Sequence, residues 1–171
     1  MSKLKIAVIG TGLVGTFHAE AFFRNPNSEL VAVCDVDKEK VNSVAQSFNC
    51  KAYEDFTKLI NTETLDAISI ATPEQIRIEP AVMSVKKGLK ILLEKPLGRN
   101  LEKIHELVDK IKDHNKIISV NFILHEDPRY KLMKEKVIND EIGNIVSCFA
   151  RRRGNRFGIE IYAPWTDLLS S

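Results

Sequence analysis

Short apolar runs alternate with segments of helical periodicity over the first 122 positions. "KIAVIG" (5–10) is a compact apolar run closing on glycine, the pattern of a strand buried on both faces. The spacing then predicts a helix over 13–24, with Val14, Phe17 and Ala21 on one stripe. "ELVAVCD" (29–35) predicts a second strand, after which Asp37 can cap a helix whose Val41, Val44, Ala45 and Phe48 share a face. A short strand at 51–53, a helix from about 55 to 60 and a strand "LDAISIATP" (65–73) stopped by Pro73 follow. A helix over 74–87 should stop at Gly88. "LKILLE" (89–94) predicts a fifth strand, and Asn100 can cap a helix that keeps Leu101, Ile104, Val108 and Ile111 in period. "KIISVNF" (116–122) predicts a sixth strand.

Strands and helices alternating at this spacing imply βαβ units and an α/β fold, with a doubly wound parallel sheet covered on both faces. The pattern changes after 122. Asp127-Pro128 starts a helix running to about Asn139, Gly143 turns the chain, and "NIVSCFARRR" (144–153) reads as a long strand. Some fifty residues are too few for a core of their own, so the chain is expected to stop part-way into a second, α+β domain.

Composition narrows the function. A net charge of +2 in 171 residues suggests neither a nucleic-acid nor a membrane partner. Cys34, Cys50 and Cys148 are far apart and read as reduced thiols of a cytoplasmic protein. The N-terminus lacks the apolar stretch and cleavage site of a signal peptide, and no apolar run is long enough to span a bilayer. No His, Cys, Asp and Glu grouping has metal-ligand spacing, and no nucleophile elbow occurs.

The loop "GTGLVG" (Gly10, Thr11, Gly12, Leu13, Val14, Gly15) has G-x-G-x-x-G spacing between a predicted strand and a predicted helix. Gly10 permits the tight turn, Gly12 lets backbone approach phosphates, and Gly15 lets helix and strand pack closely. The helix N-terminus favours an anion. Asp35 follows Gly15 by twenty residues, where a carboxylate accepts from ribose hydroxyls and repels a 2′-phosphate. That favours NAD over NADP, with Lys38 and Lys40 nearby leaving NADP open.

"EKP" (94–96) interrupts an apolar run with Glu94, Lys95 and Pro96. In isolation it reads as a solvated turn. At the carboxyl edge of a dinucleotide-binding sheet, Lys95 is placed to hydrogen-bond a substrate hydroxyl and assist its proton transfer.

In order and spacing, "VIGTGLVGTFHAEAF", "VAVCDVD", "ATP", "EKPLG", "DPRY" and "EIGNIVSCFARR" resemble the glucose–fructose oxidoreductase / inositol dehydrogenase / rhizopine catabolism (Gfo/Idh/MocA) family. The resemblance implies a dinucleotide-binding Rossmann domain over 1–122, then the incomplete start of a C-terminal substrate and oligomerisation domain over 123–171. It places Gly10, Gly12, Gly15 and Asp35 on cofactor positions, and Thr11, Leu13, Val14, Glu94 and Lys95, at the same sheet edge, are read as further cofactor contacts. Ala71, Thr72 and Pro73 fall on the loop lining the nicotinamide side, Lys95 on the catalytic lysine, and Pro96 on a proline often found cis. The implied activity is hydride transfer between NAD and a secondary alcohol of a sugar, cyclitol or sugar nucleotide, with a homo-oligomer for a full-length relative. Arg77 stands where the family commonly has His, and His125-Glu126 where it commonly has Arg-Phe, which bears on the shape of the substrate cleft. Relatives run to roughly twice this length and carry a second acid/base in a histidine–aspartate motif. "PWTDLLSS" does not match that motif, so Asp167 is given no role and turnover by this chain is expected to be weak or absent. A non-catalytic dinucleotide-binding module or redox-state sensor is the alternative. His18 reads as either a half-buried helix residue or a cofactor neighbour. His105 and His114 read as solvated and His125 as a loop residue. The basic cluster "RRRGNR" (151–156) reads either as a site for an anionic substrate or as a face left open.

Overall fold

The computed structural model describes residues 2–98, 100–112 and 118–151. The chain divides into two compact units, Met1–Phe122 and Ile123–Ser171. In the first, strands β1 (Leu4–Ile9), β2 (Ser28–Cys34), β3 (Lys51–Tyr53), β4 (Ala67–Ile70), β5 (Lys90–Leu93) and β6 (Ile118–Val120) alternate with helices α1 (Leu13–Arg24), α2 (Lys38–Phe48), α3 (Phe56–Thr62), α4 (Ile78–Lys86) and α5 (Leu101–Ile111). All five ladders are parallel, in the order β3-β2-β1-β4-β5-β6. This is the doubly wound Rossmann order, which reverses between β1 and β4.

Both faces of the central strands are buried, which is why β1, β2, β4 and β5 read as apolar runs. On one face Ala7, Ile9, Ile68, Ile70, Ile91 and Leu93 meet α3, α4 and α5 through Leu59, Val85 and Leu107. On the other, Val8, Leu30 and Val33 meet α1 and α2 through Ala19, Val41 and Ala45. Leu30 and Val33 share that face because the β1–β2 register skips Val31. Asp37 caps α2 by accepting from the Lys40 N–H at 3.1 Å, and Asn100 accepts from the Glu102 N–H at 2.8 Å. Gly88, at φ +74°, ends α4. Burial pushes the Cys34 thiol up to about 12 and the Cys50 thiol up to about 11, so neither is a thiolate at neutral pH.

Three expected faces or boundaries differ. The buried face of α1 is Gly15 and Ala19, with Phe22 packed beside them, while Phe17 is 51% exposed. Small residues face the sheet because the helix start lies hard against β1, and larger ones would hold it off. In α5 the fully buried residue is Leu107, and Leu101 and Val108 point outward. The helix expected over 74–87 is a 3₁₀ turn (Glu74–Ile76) followed by α4. Pro80 has no N–H for the Ile76 carbonyl and its ring would clash there, so it sits only in the first turn of a helix starting at Ile78.

The second unit has a 3₁₀ turn (Ile123–His125) and α6 (Pro128–Ile138). Asp127 caps α6, accepting from the Arg129 N–H at 2.9 Å, with Pro128 in the first turn. Asp127 is held down to about 2 by the side-chain and backbone donors of Arg129. The strand expected over 144–153 does not form across 144–151, where Val146 and Phe149 stand exposed. A strand needs a ladder partner, and none lies among the described residues of this unit. Positions 152–153 and the tail, with Asp167 and most of the basic cluster, lie outside the described residues, as does His114. Among the described residues no helix is long and apolar enough to cross a membrane.

Candidate functional site

The loops leaving β1, β2, β4 and β5 share the carboxyl edge of the sheet. Gly10 turns at φ +93°, and a Cβ there would stand 2.8 Å from the Ala71 carbonyl carbon, so the loops after β1 and β4 touch backbone to backbone. A Cβ on Gly15 would stand 1.8 Å from the Gly10 carbonyl oxygen. At Gly12 a Cβ meets nothing within 4 Å. Two glycines therefore serve close packing, and the third keeps a surface clear. Gly12 is also the N-cap of α1 and no side chain caps that helix, so its first-turn amides face outward with the positive end of the dipole.

Asp35 is pinned beside this loop. Its Oδ2 accepts from the Thr11 N–H at 2.7 Å and the Thr11 hydroxyl at 3.0 Å, and its Oδ1 accepts from the Asp37 N–H at 3.0 Å. The motif gave Thr11 a place in the loop but not this role. On the other side Thr72 is buried with its hydroxyl oxygen unpartnered among the described residues. An uncapped helix start, a cleared glycine and an orphaned hydroxyl along one edge fit a dinucleotide.

Glu94 is only 5% exposed and its carboxylate turns inward. Oε1 accepts from Asn121 Nδ2 at 2.6 Å and lies 3.2 Å from His18 Nε2, while Oε2 accepts from the Lys95 N–H at 3.1 Å. The other ring nitrogen, Nδ1, is 2.7 Å from the Ser69 hydroxyl. Because an ionised carboxylate only accepts, the His18 proton belongs on Nε2. The 3.3 Å approach of Asn121 Nδ2 to Nε2 is then two donors sharing Oε1 rather than a bond between them. Burial raises the Glu94 pKa, but the His18 and Asn121 hydrogen bonds, the His18 charge and the Lys95 N–H outweigh it, and the group lies below its ordinary value. Glu94, read from sequence as a cofactor contact, thus has its carboxylate committed within the protein. His18, read from sequence as a half-buried helix residue or a cofactor neighbour, is partly buried in α1, but its pairing with Glu94 was not anticipated, and Ser69 and Asn121 carry no motif.

Arg77, the departure that bears on the shape of the substrate cleft, is 3% exposed. Its Nη1 donates to the carbonyls of Glu94 and Pro96, and its Nη2 to that of Thr72. Lys95 is exposed next to this bracket and its bond to Pro96 is cis. A cavity of about 590 Å³ opens at the opposite edge of the sheet, where the Lys51 ammonium meets Glu63 at 2.9 Å.

Fold order, glycine loop and placed acid define a Rossmann domain that binds NAD. The chain belongs to the Gfo/Idh/MocA oxidoreductases, whose family model, described as "Oxidoreductase family, NAD-binding Rossmann fold", matches residues 4–122. It is 30% identical over 143 residues to the inositol 2-dehydrogenase of Rubrobacter xylanophilus, covering 82% of this chain and 41% of that protein. It is 29% identical to the glucose-6-phosphate 3-dehydrogenase of Bacillus subtilis, covering 84% of this chain and 40% of that one. The myo-inositol dehydrogenase of Lactobacillus casei, solved with NAD(H) and myo-inositol, superposes with a TM-score of 0.77 at 30% identity, over 82% of this chain and 43% of that one. The chain thus spans less than half the length of these relatives.

Proposed function

We propose that this chain is the cofactor-binding part of an NAD-dependent dehydrogenase of the cytoplasm, acting on a secondary alcohol of a sugar, cyclitol or sugar nucleotide. What carries the reading is the meeting, at one sheet edge, of an uncapped glycine-lined helix start, a pinned Asp35 and an exposed Lys95. The α1 amides and Gly12 would hold the pyrophosphate, Asp35 the adenine ribose hydroxyls, and Ala71, Thr72 and Pro73 the nicotinamide half. When bound, the nicotinamide exchanges a hydride with the substrate carbon. Lys95 hydrogen-bonds the substrate oxygen and assists its proton transfer. Residues 123–171 then begin the substrate and assembly domain, in a homo-oligomer.

The preference for NAD rests on charge. Asp35 repels a 2′-phosphate, and the two lysines nearby are engaged, Lys40 with Asp37 at 2.8 Å and Lys38 with Glu54 at 3.6 Å. In parallel titrations the chain should bind NADH at least about tenfold tighter than NADPH, a gap of about 1.4 kcal/mol. Asp35→Ala, checked for folding by circular dichroism, should lose that preference. Absence of NADH binding by a folded wild-type chain would overturn the proposal.

In a protein that joins this chain to a relative's substrate domain, Lys95→Ala should leave NADH affinity within about threefold, yet lower myo-inositol-dependent NADH formation by about two orders of magnitude. Turnover surviving that substitution would remove Lys95 from the chemistry. NADH binding with no turnover even when joined to that substrate domain would define a dinucleotide-binding module instead.

A further inference from the structure

The buried Arg77 guanidinium has no part in the proposed chemistry, yet its two terminal nitrogens donate to three backbone carbonyls from two separate loops, while Nε has no partner among the described residues. Thr72 belongs to the loop after β4, and Glu94 and Pro96 to the loop after β5. Burying a cation is unfavourable unless its donors are met and counter-charge is near. Here burial lowers the Arg77 pKa, while the negative charges of Glu94 and Glu74 act against that fall. A planar fork reaching several acceptors at fixed angles sets their spacing, which a single ammonium does not.

We infer that Arg77 is a positioning residue that bolts the β4 and β5 exit loops together and so sets the nicotinamide half of the cofactor site and the backbone that carries Lys95. The inference rests on the cofactor reading above. It separates two halves of the site. Gly10–Gly15 and Asp35 sit on the exits of β1 and β2, which Arg77 does not touch through any of these bonds.

The test compares NADH with ADP-ribose, which keeps the pyrophosphate and adenosine but lacks nicotinamide. Arg77→Met keeps an unbranched apolar stem and removes the fork. It should weaken NADH by at least about tenfold and leave ADP-ribose within about threefold. A purely structural role would lower both together. Should Arg77→Met fail to fold, Arg77→Lys, which retains the buried charge, carries the same comparison. In parallel, hydrogen exchange of the unliganded protein should accelerate at least about tenfold in segments 71–77 and 94–98 of the variant, with β1 and β2 unchanged. Equal losses for both ligands, or no loss for either, overturn the inference. If the wild type binds neither ligand, the cofactor reading fails, and the exchange data alone decide the bracket: local acceleration sustains it and unchanged exchange refutes it.

Discussion

Gly15→Ala should unfold this chain or cost it more than about 3 kcal/mol, at or beyond the upper end of ordinary overpacking. The added carbon would lie 1.8 Å from the Gly10 carbonyl oxygen and 2.8 Å from its carbonyl carbon, both backbone atoms that no rotamer change moves away. Relief requires α1 to lift from β1. Lifting it uncovers Ala19, which is fully buried, and Phe22 packed beside it. Gly12→Ala is the contrasting variant. Gly12 has φ −65°, a value open to any residue, and its Cβ would enter free space. Its stability in urea should stay within about 0.5 kcal/mol of the wild type. Its NADH affinity should still fall, because the methyl group stands where phosphate must approach. Two near-identical substitutions, three residues apart, are thus expected to fail for opposite reasons. A Gly15→Ala protein as stable as the wild type would show that α1 does not press on the glycine turn. A Gly12→Ala protein with full NADH affinity would move the pyrophosphate elsewhere.

The same geometry explains which features are legible in the sequence. The central strands β1, β2, β4 and β5 were legible because a sheet covered on both faces favours near-continuous apolar runs, while the edge strands β3 and β6 are three residues each and partly exposed. The caps Asp37 and Asp127 were legible because they act on amides two or three residues away. Features set by distant contacts were hidden. The face of α1 was misread because large apolar residues were weighted, whereas this helix faces the sheet with its smallest ones. "NIVSCFARRR" has a strand's composition, yet composition does not supply a ladder partner. His18 and Asn121 meet across 103 positions. Arg77 looked like a departure in a cleft because two of the carbonyls that draw it inward, those of Glu94 and Pro96, lie far along the chain. The motif located the edge where the chemistry is proposed; the sheet's order brought the unseen residues to it.

Glu94→Leu is expected to destabilise the first unit by about 3 kcal/mol, the scale for removing one partner of a buried charged pair. All three groups around that carboxylate are donors: Asn121 Nδ2, His18 Nε2 and the Lys95 N–H. Leucine leaves each without an acceptor. Glu94→Gln keeps the shape and one carbonyl oxygen for Asn121 and His18, but points an amide N–H₂ at the Lys95 N–H. It should therefore lose about 1–2 kcal/mol. The pH dependence has a definite sign. A carboxylate whose folded pKa lies below its unfolded value stabilises fully above the unfolded value and loses that contribution as pH falls through the folded one. Glu94 is such a group, with an ordinary value of 4.5. The stability gap between wild type and Glu94→Gln should be widest near neutral pH and close progressively in acid below the ordinary carboxylate value. Reading the gap cancels the other acid-sensitive carboxylates, such as Glu63 and Asp127, because both proteins carry them. Urea denaturation at a series of pH values measures it. A gap that stays constant into strong acid would mean that Glu94 is not ionised in the folded state. The donor assignment for His18 would fall with it, since a protonated carboxyl group can donate to Nε2 instead.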